Sequence, residues 1–216
     1  MSIIYKLDGT DFKTYSIYVS EGKGILDDPK SKKRFSRSWD NQHGESVDLR
    51  ERFVEPREIT LECFVKATSN ADLITKTQAI RALFAASGLR RLSITVDTAQ
   101  PLVFDVYLKD QITFKKKFRS GTNVATFTLK LVDPLPVKRV IAFILTINKF
   151  VEIDFTSSEP CRIFWGDGSY TDHSFGGAQH TYPAFGTYYA SVCGNLSKLT
   201  FQVESADQSN VIWTLQ

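Results

Sequence analysis

Apolar residues recur at a spacing of two along most of this chain, and the pattern breaks every few residues at Gly, Asp, Asn or Pro. Side chains of an extended strand alternate between faces, so this texture predicts many short β-strands. Ile3-Ile4-Tyr5 and Tyr15 to Val19 read as the first two, parted by the turn residues Asp8-Gly9-Thr10. From Glu58 to Val65 the alternation puts Ile59, Leu61 and Cys63 on one face, and Arg91 to Val96, Leu102 to Leu108 and Val124 to Val132 continue the series. Beyond Pro136 the runs resume at Val140 to Ile147, Phe150 to Phe155, Arg162 to Trp165, Thr187 to Val192, Leu199 to Val203 and Val211 to Leu215, with the close spacing and turn-rich joints of a sandwich. One stretch departs from this period. Over residues 70–87, Leu73, Ile74, Thr77, Ile80, Leu83 and Phe84 fall at steps of three and four, an apolar stripe suited to lying across a sheet. Ser69 or Asn70 can cap that helix, Asp72 suits the positive end of its dipole, and Gly88 ends it.

Two segments organise the rest. Glu21 to Asp40 is rich in Gly, Asp, Pro, Lys and Ser and reads as a loop too long for a simple connection, hence mobile or used in contacts, with Trp39 at its end. Asp133-Pro134-Leu135-Pro136 stops any strand and stiffens the chain, which places a boundary between residues 1–136 and 137–216. Charge divides at the same point. The first part holds 22 Lys/Arg against 17 Asp/Glu, the second 5 against 7. The basic excess gathers in Lys30 to Arg37, containing Lys32, Lys33, Arg34 and Arg37, and in Lys115 to Arg119. Such runs can grip phosphate, but no recognition module accompanies them, so a solvated or subunit-facing loop is expected and nucleic acid is not.

Several functions are disfavoured. No apolar run approaches the ~18 residues of a membrane-crossing helix, and the opening residues lack the basic start and long apolar core of a leader, so synthesis in a cytoplasm and no membrane insertion are expected. Cys63, Cys161 and Cys193 have no metal-ligand spacing; Cys161 and Cys193 could meet across facing sheets, but buried free thiols are the expected state. His43, His173 and His180 stand beside no nucleophile motif, zinc motif or phosphate loop, so no enzyme and no cofactor are expected. Asp167, Asp172, His173 and His180 are the one set that could be weighed as a metal or catalytic cluster. Backbone hydrogen bonding within a tight turn accounts better for Asp167.

Phe164-Trp165-Gly166-Asp167-Gly168-Ser169, followed by His180-Thr181-Tyr182 and Phe185-Gly186-Thr187-Tyr188, resembles the PKD repeat, an immunoglobulin-like sandwich. The residues that carry the resemblance are Trp165, Gly166, Asp167, Gly168, His180, Tyr182 and Gly186. Gly-Asp-Gly allows the positive φ of a tight hairpin, Trp165 can fill the space between two sheets, Tyr182 can tie its hydroxyl to nearby backbone, and His180 can buttress the same corner. The first part resembles the N-terminal domain of siphophage distal tail proteins and their tail-tube relatives. That match is one of order: early strands, a long loop, a strand, one amphipathic helix, then strands leaving through Phe127 to Pro136.

Together these resemblances imply a mostly β chain. A tail-tube-like β-sandwich or barrel with one packed helix precedes an immunoglobulin-like sandwich of the PKD type. They further imply a structural phage or prophage tail component, a distal tail or baseplate ring in the virion tail. Its partners would be its own copies, as a hexamer, and other tail proteins, with Lys32, Lys33, Arg34, Arg37 and Trp39 in an assembly loop. Exposed Tyr170 and Phe175 are the candidates for touching a host-surface glycan. The alternative is a bacterial surface or secreted module for adhesion or carbohydrate binding.

Overall fold

In a computed structural model the described residues are 3–97, 100–116, 123–156, 159–173, 176–205 and 208–215, with side chains described as far as residue 203; Phe175 and residues 117–119 of the second basic run lie outside them. The chain is mostly β. Its strands are β1 (Ile3–Leu7), β2 (Thr10–Asp11), β3 (Ile17–Lys23), β4 (Ser36–Ser38), β5 (Glu45–Val47), β6 (Arg57–Lys66), β7 (Arg90–Val96), β8 (Leu102–Leu108), β9 (Val124–Asp133), β10 (Lys138–Leu145), β11 (Phe150–Phe155), β12 (Cys161–Phe164), β13 (Tyr170–His173), β14 (Gly176–Thr181), β15 (Gly186–Gly194), β16 (Phe201–Ser205) and β17 (Gln208–Leu215). Helix α1 (Asn70–Ala85) lies between β6 and β7.

The first seven-stranded sheet runs β2-β1-β7-β8-β9-β6-β3 and is open, with β2 and β3 as its edges. Of the two expected forms, the closed barrel is therefore not the one adopted. β6 and β9 pair along ten residues, from Arg57 opposite Asp133 to Lys66 opposite Val124. Their alternation turns Ile59, Leu61, Cys63 and Val65, with Phe127, Leu129 and Leu131, into one core. Helix α1 covers that core with Leu73, Ile80 and Phe84. The Ser69 side chain accepts the Asp72 N–H at its start, and Ala86 turns extended at its end, two residues before the expected limit. Ile74 corrects the expected stripe: it is 60% exposed, because a narrow three-residue face suffices where the helix meets the sheet. Tyr15 also differs, closing a 3-10 turn (Phe12–Tyr15) capped by Asp11, so β3 begins only at Ile17.

The second half stacks the sheet β13-β12-β15-β10-β17 on the sheet β14-β11-β16. Ile141, Phe143 and Leu145 from β10, Val151, Ile153 and Phe155 from β11, and Ile163, Ala190 and Val192 fill the space between them. Cys161 and Cys193 lie on the neighbouring strands β12 and β15 of one sheet, not on facing sheets, and all three thiols are free and buried. Cys161 opposes Gly194 while Cys193 opposes Arg162, so the two side chains leave opposite faces. Burial pushes the Cys63 and Cys193 thiols up to about 12 and that of Cys161 to about 11, which holds them protonated.

Where the halves meet, strands are buried on both faces. Phe104 and Val106 of β8 enter the first core, yet Val103 and Asp105 on the other face are equally buried; Lys138 and Val140 of β10, with Ser191 and Cys193 of β15, face away from the second core and are buried too. The charges there form a chain. Lys138 Nζ stands 2.7 Å from Asp133 and 3.5 Å from Asp105, whose other oxygen accepts from Arg91 Nε at 2.7 Å. Arg91 continues across the junction, donating to the carbonyls of Tyr189 and, at 3.4 Å, Phe164. Burial pulls the Lys138 ammonium down, but Asp133 and Asp105 outweigh it and its pKa lies above the ordinary value.

Burial also pushes the Asp133 carboxyl up to about 6 against the opposing pull of Lys138. The native state therefore holds a proton that the unfolded chain releases near the ordinary 3.8, so this group's contribution is fully present below that value and is lost as pH rises through about 6. Asp133→Asn should accordingly gain on the native chain between pH 4 and 7 in paired thermal melts. A difference that stays flat, or moves the other way, would contradict the raised pKa.

Candidate functional site

At the top of the second sandwich the β12–β13 hairpin turns through Gly166 and Gly168, both at positive φ (93° and 97°), a region that glycine enters without penalty. Gly166 is also sterically fixed: a Cβ there would lie 2.7 Å from the Tyr189 carbonyl oxygen and 3.4 Å from Arg91 Nη1. Between the glycines, Asp167 Oδ1 accepts from the Ser169 N–H at 3.0 Å and its hydroxyl at 2.6 Å, the local bonding of an Asx turn. Asp167 Oδ2 is 2.8 Å from His180 Nε2. Burial raises the Asp167 pKa, but the Ser169 bonds and His180 outweigh it and hold the carboxyl below its usual value.

Trp165 is fully buried beneath this turn. Its indole N–H donates to Thr171 Oγ1 at 2.9 Å, and its carbonyl accepts from the Tyr182 hydroxyl at 2.9 Å. His180 stacks on the indole at 4.7 Å and meets Tyr182 edge-on at 4.6 Å; Tyr182 in turn stacks on Tyr188 at 4.0 Å. Trp165, Gly166, Asp167, Gly168, His180 and Tyr182 thus form one corner. Gly186 stands apart from it, at the start of β15 opposite Leu145. His173 is also elsewhere, bonded to the Gly176 carbonyl at 2.9 Å, and Asp172 is taken by Arg162. Among the described residues no group of three or more His, Cys, Asp or Glu is placed to hold a metal ion.

The second candidate region corrects the expected loop. Residues 21–40 are not irregular throughout: β3 continues to Lys23, and the remainder forms one side of an arm that returns through residues 45–55. Its two sides are laced by the Ser31–Val54 bridge, by Lys32 N–H to Phe53 O at 2.8 Å, by Glu55 N–H to Lys30 O at 2.7 Å, and by β4 on β5. The root is held by Arg57, buried at the start of β6, whose Nη1 donates to the carbonyls of Gly24, Ile25 and Asp27. Glu51 and Lys198 join the arm to the second half at 3.2 Å.

Lys32, Lys33 and Arg34 lie along this arm, and Arg37 sits 3.6 Å over the Trp39 ring near its tip. What the sequence pattern missed are the exposed apolar side chains between them: Phe35 is 78% exposed, and Leu26, Leu49 and Phe53 are exposed as well. They follow no helical or strand period over enough residues to register, and only their frequency in a polar segment could have flagged them.

No family model matches the chain, and no curated protein matches it. Among solved structures it is similar to the SPP1 Dit (gp 19.1) protein, described as a paradigm of hub adsorption apparatus in phages infecting Gram-positive bacteria. That likeness has 11% identity and a TM-score of 0.49 over 95% of this chain and 100% of that one. It is also similar to a chain of the phage p2 baseplate in its activated conformation with Sr, at 9% identity and a TM-score of 0.48 over 99% of this chain and 88% of that one. The same baseplate with Ca gives 10% identity and a TM-score of 0.48 over the same shares. Among the described residues no helix is long and apolar enough to cross a membrane.

The corner bonding sets an order of stability losses. Trp165→Ala should cost about 3–5 kcal/mol by emptying a buried aromatic site. Tyr182→Phe, which removes one buried hydrogen bond, should cost about 1–2 kcal/mol. Asp167→Ala should cost less than Trp165→Ala, since it leaves no cavity between the sheets and one of its two partners, Ser169, is exposed. Urea unfolding of the three variants checks the ranking; an Asp167→Ala loss equal to that of Trp165→Ala would reverse it.

Proposed function

We propose that this chain is a structural component of a phage tail, a distal-tail or baseplate protein that closes into a ring of its own copies within the virion. In this reading residues 1–136 build the ring, as a hexamer, and residues 137–216 form a PKD-like sandwich carried on it. The observation that supports it most is the arm. A two-stranded ribbon is by itself at best marginally stable in water, yet this one, rooted by Arg57 and bridged to the second half by Glu51, exposes Phe35, Leu49 and Phe53. Contact with another molecule covers such side chains. The open edges β2 and β3 add a second reason, because unpaired strand edges invite association and a closed ring makes that association finite. The order of elements in the first half, matched by the sequence resemblance to distal tail proteins, supplies the setting. The role needs other tail proteins as neighbours and no catalytic chemistry.

The intact chain should give concentration-dependent light scattering and rings in electron micrographs. Phe35→Ser combined with Phe53→Ser should shift it to monomers while moving Tm by no more than about 2 °C, because both residues are exposed. Contacts made through Lys32, Lys33, Arg34 and Arg37 should weaken as salt rises. A chain that stays monomeric at high concentration and also fails to join a purified tail tube sinks this proposal in favour of a free-standing adhesion module.

A further inference from the structure

Exposure alternates along the first side of the arm: Lys33, Phe35 and Arg37 are exposed, while Arg34 and Ser36 between them are half-buried. In extended backbone that period places the three on one side, as an aromatic ring between two cations. Lys30 to Arg37 contains no acid. A surface that complements this stripe is flat, acidic and without lysine or arginine of its own.

One sheet face of the chain has that character. Val151, Ile153 and Phe155 of β11 enter the second core, which leaves Phe150, Glu152 and Asp154 at the outward positions. None of β11, β14 and β16 contains Lys or Arg. Gln179 of β14 donates to Glu152 Oε1 at 2.8 Å, and Gly177 opposes Asp154. Because Gly177 has no side chain, Glu152 Oε1 and Asp154 Oδ1 both lean over it, the latter 2.6 Å from where a Cβ would stand. On the other flank Glu204 of β16 opposes Glu152 in register. Among the described residues neither Glu152 nor Asp154 has a cationic partner, and Lys149, just before β11, donates to the Pro183 carbonyl at 3.0 Å. The outward face of β6 differs, since its Glu58 is answered by Lys109 at 2.6 Å.

The lengths agree as well. At about 3.3 Å per residue, Lys30 to Arg37 spans roughly 25 Å and the six residues of β11 roughly 20 Å. We propose that the outer face of β14-β11-β16 receives the arm of a second copy of this chain, its Lys33 and Arg37 meeting Glu152 and Asp154 and its Phe35 covering Gly177. The proposal rests on the ring reading and adds the surface that the arm meets. Arm and face belong to different halves of the chain, so the contact is head-to-tail, the kind that closes into a ring when the rotation allows.

Charge reversal on either side tests it in the full chain, read by light scattering and sedimentation velocity. Glu152→Lys with Asp154→Lys, and separately Lys33→Glu with Arg37→Glu, should each raise the concentration of half-complete association about tenfold or more. Tm should move by less than about 2 °C in both, since none of the four residues is buried. Mixed one to one, the two variants should associate again, because each arm then finds a face of opposite sign. Native-like assembly of the Glu152→Lys/Asp154→Lys chain, or no recovery on mixing, overturns the proposal and leaves the ring reading standing; a native chain that stays monomeric overturns both. A face-reversed chain that assembles normally but no longer joins a purified tail tube assigns the face to another protein and overturns the proposal too.

Discussion

Lys138 carries its fully buried ammonium into the seam between the two halves and holds it between Asp133, across the linker at the end of β9, and Asp105 on β8. Taking three charges out of water costs several kcal/mol per ion, so such a cluster adds less to net stability than its short distances suggest. What it does is restrict geometry. An ammonium that must reach both carboxylates permits few placements of β10 over β8 and β9, and Arg91 narrows them further by reaching two carbonyls of the far half. The rest of the molecule follows from that seam. The linker through Pro134 and Pro136 is only as long as the turn needs, the outer faces of β8 and β10 become interior, and the Gly166 turn is brought over the first sheet.

The same seam explains why a motif glycine is glycine. Gly166 and Gly168 both sit at positive φ, where an L side chain is strained, but at Gly168 a Cβ would meet nothing within 4 Å. At Gly166 the Tyr189 carbonyl and the Arg91 guanidinium occupy that space. The corner above Trp165 and the docking of the halves therefore share one backbone position.

Period-two alternation made β6, β9, β10 and β11 legible, because each has one face in a core and the other toward solvent or the seam. β13 and β14 were not legible: as edge strands of the sandwich they carry Tyr170-Thr171-Asp172-His173 and Gly176-Gly177-Ala178, with little apolar content to alternate. The seam was hidden for a different reason. Asp105, Asp133 and Lys138 read as surface charges in any single-strand pattern, and only the pairing of distant strands turns them inward. For the corner, the sequence contains the turn glycines and the aromatics, but the bonds to Thr171, Ser169 and Tyr189 depend on strand register. The arm escaped because its apolar residues are spaced by the needs of an exposed ribbon.

Arg57 gives that ribbon a mechanical character. A guanidinium that gathers the carbonyls of Gly24, Ile25 and Asp27 while fixed in β6 converts the base of the arm from a swivel into a clamp. β6 lies inside the sheet, between β9 and β3. A sideways load at the tip is then carried as bending of the ribbon and passed into the ten-residue β6–β9 ladder. The arm is thus held to the body at its root by Arg57 and farther along by Glu51 against Lys198, so a displacement of its tip would be passed to both halves of the chain.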